Sequence, residues 1–198
     1  MASVSRIVER LFFLFRDLIA DLLGKTLLQP NALTSLGVIL DLVAFWTLSN
    51  GYLFGSGILI ALGGVCDLLD GALARRAGRA TPFGAFYDST MDRISDMAVY
   101  GGLLAYYASL DNVTLVVITF LAMSGSIMVS YTRARAECLI PKCKVGVMER
   151  AERTIILILG ALFNRMPMAL WIIAVGAWLT TTHRIVYTRG ELRAHHGQ

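Results

Sequence analysis

Asp67-Leu-Leu-Asp70-Gly71-Ala-Leu-Ala74-Arg75-Arg-Ala-Gly-Arg-Ala-Thr81-Pro-Phe-Gly84-Ala-Phe-Tyr-Asp88-Ser-Thr-Met-Asp92 is the stretch on which the chain turns. Its 26 residues carry four carboxylates inside segments that otherwise read as membrane-spanning. An ionised Asp at bilayer depth costs about 2.5–3.5 kcal/mol on insertion scales, so each should face a polar cavity and a partner. Asp67 and Asp70 are three apart, and Asp88 and Asp92 four apart. On helices each pair shares one face. Two helices meeting on those faces gather four oxygen-rich side chains, a donor set for a hard cation such as Mg²⁺, Mn²⁺ or Ca²⁺. Gly71 and Ala74 follow the first pair, and Gly84 lies one turn before Asp88. Small residues there let a backbone or a bulky ligand come close.

The composition agrees with a membrane setting. The chain has 198 residues, 56% of them hydrophobic and only 16% charged. Soluble domains run nearer a quarter charged. The length suits one integral domain, residues 1–198, and the net charge of +4 suits anionic lipid surfaces and phosphate-bearing substrates. Nothing in the pattern asks for nucleic acid. The three cysteines form no Cys-x-x-Cys, so three free thiols are expected and no zinc site.

An N-terminal amphipathic helix is expected over residues 3–23, with Val4, Ile7, Val8, Leu11, Phe15, Leu18, Ile19 and Leu22 on one side and most charges on the other. Such a helix lies in the membrane interface. Glu9, Arg10, Arg16 and Asp17 exclude a signal peptide there. A six-span bundle over 31–189 follows, with spans at about 33–48, 53–74, 83–108, 113–133, 154–163 and 168–187. Several are shorter than the ~20 apolar residues of a simple span, as polar ends lining a cavity would be. Arg75, Arg76, Arg79, Lys142, Lys144, Arg150, Arg153 and both termini fall on one side, and only Arg165 on the other. The positive-inside rule puts the basic side and the four Asp near the cytoplasm, in the cell (inner) membrane.

The central stretch resembles the CDP-alcohol phosphotransferase family. The family pattern is Asp, two residues, Asp-Gly, two residues, Ala-Arg, eight residues, Gly, three residues, Asp, three residues, Asp. Asp67, Asp70, Gly71, Ala74, Arg75, Gly84, Asp88 and Asp92 match every position and spacing. The resemblance implies attack by an alcohol on the β-phosphate of a CDP-linked donor, usually CDP-diacylglycerol, with CMP leaving. It implies Asp92 as the base, and Asp67, Asp70, Asp88 and Asp92 around one or two ions, Mg²⁺ or Mn²⁺. It assigns Gly71, Ala74, Arg75, Thr81 and Gly84 to the CDP-lipid, with Asn31 and Thr34 in a matching nucleotide-contact region. Asn31 and Thr34 read equally well as a helix cap. The family is generally homodimeric, so a homodimer is implied.

The acceptor is read from a second resemblance. Asp92-Arg93-Ile-Ser-Asp96, the segment Tyr131–Glu137 and the segment Glu149–Arg153 look like those of phosphatidylinositol-phosphate synthases. That subfamily often carries Lys where Arg133 stands and Pro where Ala151 stands. It implies a soluble polyol phosphate, inositol phosphate, with its phosphate held by Arg133, Arg135 and Arg153. Arg150 and Arg184 are further candidates, and Lys144 reads better as topology. Glycerol 3-phosphate is the alternative acceptor. A divalent-cation transporter is the rival of another class, but it would want acidic groups along several spans.

Overall fold

The computed structural model describes residues 30–76 and 81–196. The expected interfacial helix at 3–23, and the side chain of Arg75, lie outside the described residues. Six helices account for the rest, with no strand among the described residues: α1 Pro30–Ser49, α2 Leu53–Arg76, α3 Pro82–Ser109, α4 Val113–Glu137, α5 Arg150–Leu162 and α6 Met166–His196. Four of them are long and apolar enough to cross a membrane, over Asn31–Ser49, Leu53–Ala74, Val113–Glu137 and Met166–Ala194. The other two differ for distinct reasons. α3 has 28 residues, but Asp88, Asp92, Arg93 and Asp96 make its first half polar. α5 has 13 residues and opens on Arg150, Glu152 and Arg153. At 1.5 Å per residue it is about 20 Å long, against a hydrocarbon core of about 30 Å.

Local chemistry sets the boundaries. Gly51 turns the chain between α1 and α2 at φ 80°, and a Cβ there would lie 2.8 Å from the Tyr106 ring, so only glycine suits. Asn112 caps α4 by accepting from the Leu115 amide at 3.1 Å. Thr81 caps α3 by accepting from the Gly84 amide at 2.9 Å, with Pro82 at the first helical position.

The helices close into a ring. α1 packs on α2 and α3, α2 on α5, α5 on α6, α6 on α4, and α4 back on α3. Ala44, Leu48, Val99, Tyr100, Leu103, Ala122, Leu157, Leu170 and Ile173 fill one end of it. Close approach depends on small residues: a Cβ on Gly102 would lie 2.6 Å from the Phe45 carbonyl oxygen, and one on Gly160 2.6 Å from the Ala169 Cβ. Trp46, Phe54, Phe120, Trp171 and Leu179 are exposed on the outside, as suits a lipid-facing surface. The motif residues of α2 and α3 lie at the other end of the ring, beyond the apolar plug.

Candidate active site

α2 and α3 present the four motif carboxylates toward one another, with α1 between them. Thr34 donates its hydroxyl to Asp70 Oδ2, tying α1 to α2. Ser35 and Tyr87 share a hydrogen bond of 2.8 Å, tying α1 to α3. Like charge acts across the group, with Asp88 and Asp67 on Asp70 and the same two on Asp92. Gly37 makes the space on α1, since a Cβ there would lie 2.9 Å from Asp67 Oδ1.

Arg150, from the start of α5, stands among these carboxylates. Its Nη1 donates to Asp67 Oδ2 and lies 3.1 Å from Asp92 Oδ1, and its Nε lies 3.7 Å from Asp96 Oδ1. With the guanidinium there, no three acidic, His or Cys side chains among the described residues close to metal-binding spacing. The donor set still fits a hard cation, because every group is a carboxylate and the Gly37 hollow leaves Asp67 room.

Two acidic residues outside the motif join the site. Asp96 extends the Asp88–Asp92 face by one more turn and accepts from Arg153 Nη2 at 3.0 Å. Asp41 of α1 is buried beside Gly63 and Ser95 and faces Asp67, Asp96 and Arg150 across a cavity of about 20 Å³. The four-residue spacing from Asp92 to Asp96 was a usable signal. A single Asp in the apolar run of α1 gave none for a partner.

The nucleotide-contact candidates gather at the mouth. Asn31 Oδ1 and Thr81 Oγ1 would lie 3.7 and 3.1 Å from a Cβ on Gly84, so the starts of α1 and α3 meet there. Gly71 and Ala74 are half-buried on the last turns of α2, while Thr34 is buried on Asp70. Thr34 is thus engaged through its side chain, beyond any capping role.

A polar cavity of about 460 Å³ opens from Asp92, lined among others by Arg133, Glu149, Arg150, Arg153 and Arg184. Arg153 is 2% exposed and also donates to the Met148 carbonyl at 3.3 Å. Arg133 reaches Glu137 and Glu149, each at 3.2 Å. Arg184 is 1% exposed and donates to Val129 O at 2.6 Å, Val145 O at 2.9 Å and Glu149 at 3.3 Å. It pins the 138–149 segment to α6, helped by Thr180, which accepts from the Met148 amide at 3.2 Å. Arg135 does not line this cavity. α4 stays helical through Glu137, and residues two apart on a helix do not share a face. Arg135 instead lines an apolar cavity of about 510 Å³ with Tyr131, Arg189 and Leu192, on the other side of Arg184, which lines both. The three cysteines are free.

Known proteins give the arrangement its context. An archaetidylinositol phosphate synthase of Pyrococcus horikoshii is 38% identical over 177 residues, covering 86% of this chain and 90% of that protein. A phosphatidylinositol phosphate synthase of Streptomyces avermitilis is 37% identical over 180 residues, 82% of this chain and 73% of that one. The crystal structure of Mycobacterium tuberculosis phosphatidylinositol phosphate synthase with CDP-DAG bound superposes with a TM-score of 0.79 at 32% identity, covering 87% of this chain and 92% of that one. Its complex with manganese and citrate gives the same TM-score at 33% identity, over 87% and 88%. The family profile described as CDP-alcohol phosphatidyltransferase matches residues 27–188, and the chain belongs to that family.

Proposed function

We propose that this enzyme transfers the phosphatidyl group of CDP-diacylglycerol to inositol phosphate and releases CMP. The observation that carries the reading is the position of Asp92, which faces the other motif carboxylates on one side and lines the arginine-rich cavity on the other. The names of the Pyrococcus and Streptomyces relatives share an inositol phosphate product and differ in the lipid. They therefore support the acceptor more strongly than the tails.

Gly71, Ala74, Arg75, Thr81 and Gly84, with Asn31 and Thr34, hold the CDP-lipid at the mouth of α1–α3. Arg133 and Arg153 bind the acceptor phosphate, with Arg184 behind them. Arg supplies paired donors matched to phosphate oxygens. Asp92 takes the proton from the acceptor hydroxyl. The freed oxygen bonds to the β-phosphorus, the bond from that phosphorus to CMP breaks, and CMP carries away the electron pair. Asp67, Asp70, Asp88 and Asp92 are the groups that would hold Mg²⁺ or Mn²⁺, two ions per site, which when bound neutralise the diphosphate and the charge on departing CMP.

The described helices form one membrane domain of six spans. α3 and α5 complete the crossing because their polar ends line the site and not the lipid. The active site faces the cytoplasm from the cell membrane, membrane lipids surround the bundle, and the protein works as a homodimer. The test is CMP release from CDP-diacylglycerol by purified protein, with inositol phosphate, inositol and glycerol 3-phosphate offered in turn. Release with glycerol 3-phosphate but not inositol phosphate would reassign the acceptor. No release with any alcohol would overturn the reaction.

A further inference from the structure

We propose that Arg150 is a movable counter-cation. It holds the metal-ligand carboxylates together while no ion is bound, then turns into the acceptor cavity when a divalent ion arrives. Ion and acceptor phosphate therefore bind cooperatively. This rests on the reading of Asp67 and Asp92 as metal ligands.

Three observations carry it. First, the guanidinium bridges Asp67 and Asp92, two groups from different helices that an ion would share. An ion between them puts like charge against the guanidinium and removes its two partners. Second, Arg150 lines both the small cavity behind the carboxylates and the 460 Å³ cavity in front, so a rotation about its side-chain bonds moves the charge from one to the other. Third, its hold is incomplete. Its two shorter contacts, to Asp67 and Asp92, both run through a single nitrogen, Nη1, and the side chain is 26% exposed. Arg153, three residues on, also leaves its Nε buried without a hydrogen-bond partner, but the rest of its side chain is held more firmly. It is almost fully buried, and Asp96 and the Met148 carbonyl fix its two terminal nitrogens. Arg153 is a fixed cation of the acceptor cavity, and Arg150 is the one with somewhere to go.

The phosphate side favours the move. Glu149 already engages Arg133 and Arg184, so an arriving phosphate meets cations with internal partners. A guanidinium released by the ion adds one with none. Linkage then requires reciprocity: whatever factor the ion lends to phosphate binding, phosphate lends to the ion.

The experiment measures Mn²⁺ affinity by the electron paramagnetic resonance signal of free Mn²⁺, on purified full-length protein and on Arg150→Gln. Removing the resident cation should tighten Mn²⁺ by about tenfold or more, the equivalent of one charge-assisted hydrogen bond lost from the ion-free state. Arg150→Lys keeps a charge but loses the fork, so it should fall between, and it serves if the Gln variant does not fold. In calorimetry, Mn²⁺ should tighten inositol phosphate binding to the native chain and leave Arg150→Gln unaffected. Equal or weaker Mn²⁺ binding in both variants would overturn the proposal and make Arg150 a fixed strut. Absence of Mn²⁺ binding by the native chain would instead overturn the metal site on which the proposal rests.

Discussion

Gly37→Ala separates the role of Asp67 from the stability of the fold. The added methyl would lie 2.9 Å from Asp67 Oδ1, 3.4 Å from the Gly63 carbonyl oxygen and 3.5 Å from the Cys66 Cβ. Only the first contact is too close, and the atom concerned ends a short side chain. Asp67 therefore turns aside while the α1–α2 backbone stays. Replacing a mid-helix glycine by alanine gains up to about 1 kcal/mol of helix propensity, which offsets the small cost of turning the carboxylate. The thermal midpoint should stay close to that of the native chain. The site should suffer, because a displacement of about 1 Å in a catalytic constellation costs on the order of a hundredfold in rate. For the smaller shift here we expect about tenfold weaker Mn²⁺ binding, near 1.4 kcal/mol, and a similar loss of CMP release. Gly64→Ala is the control, since its methyl would meet only Thr154 Cγ2 at 3.7 Å. Unchanged Mn²⁺ affinity in Gly37→Ala, with a normal midpoint, would remove Asp67 from the metal set.

Asp92→Asn should abolish turnover while CDP-lipid binding stays largely intact; near-normal CMP release would remove Asp92 as the base. Exhaustive chelation should end activity, and Mn²⁺ or Mg²⁺ should restore it, so full activity in chelator would count against the metal site. Arg153→Ala should raise the acceptor KM more than the CDP-diacylglycerol KM, the form expected when uniform acceptor binding is lost. It should also lower the thermal midpoint, because breaking a buried pair costs about 3–5 kcal/mol and Asp96 keeps only the longer contact to Arg150. Arg135→Ala, on the neighbouring cavity beyond Arg184, should leave the acceptor KM within about twofold, the scatter expected of an exposed surface change of up to ~0.5 kcal/mol. A large rise would return Arg135 to the phosphate site.

Helical periodicity made much of this legible. It put Asp67 and Asp70 on one face and Asp88 and Asp92 on another, and the structure turns both toward one site. The turns at Gly51, Asp111 and Asn164 were readable because each is a residue type that tolerates positive φ, and each has it. Helix ends were less readable. α6 runs to His196, past the end of its apolar run near residue 187, because Arg189, Glu191 and Arg193 leave the apolar pattern without breaking the helix. Face-to-face pairing was not readable at all. Arg150 lies 83 residues from Asp67 in sequence, and no periodicity says which distant cation fills a carboxylate face. Arg135 entered the acceptor set with Arg133 through the resemblance of the Tyr131–Glu137 segment, and a resemblance in sequence does not show that a continuous helix points the two side chains to different faces.

The charge count explains why a site so rich in arginine still calls for a metal. Asp41, Asp67, Asp70, Asp88, Asp92 and Asp96 make six carboxylates around the cluster, and Arg93, Arg150 and Arg153 are the guanidiniums that pair with them among the described residues. Two of the three converge on Asp96, which leaves the Asp67–Asp70–Asp88 side with Arg150 and the Thr34 hydroxyl. Such an excess favours any cation that can reach it, because unpaired charge away from water costs several kcal/mol per group. That also accounts for the position of the site. An apolar plug fills one end of the ring and the carboxylates occupy the other. The polar first half of α3 and the short, polar start of α5 both lie at the carboxylate end, which is why neither reads as a simple apolar helix.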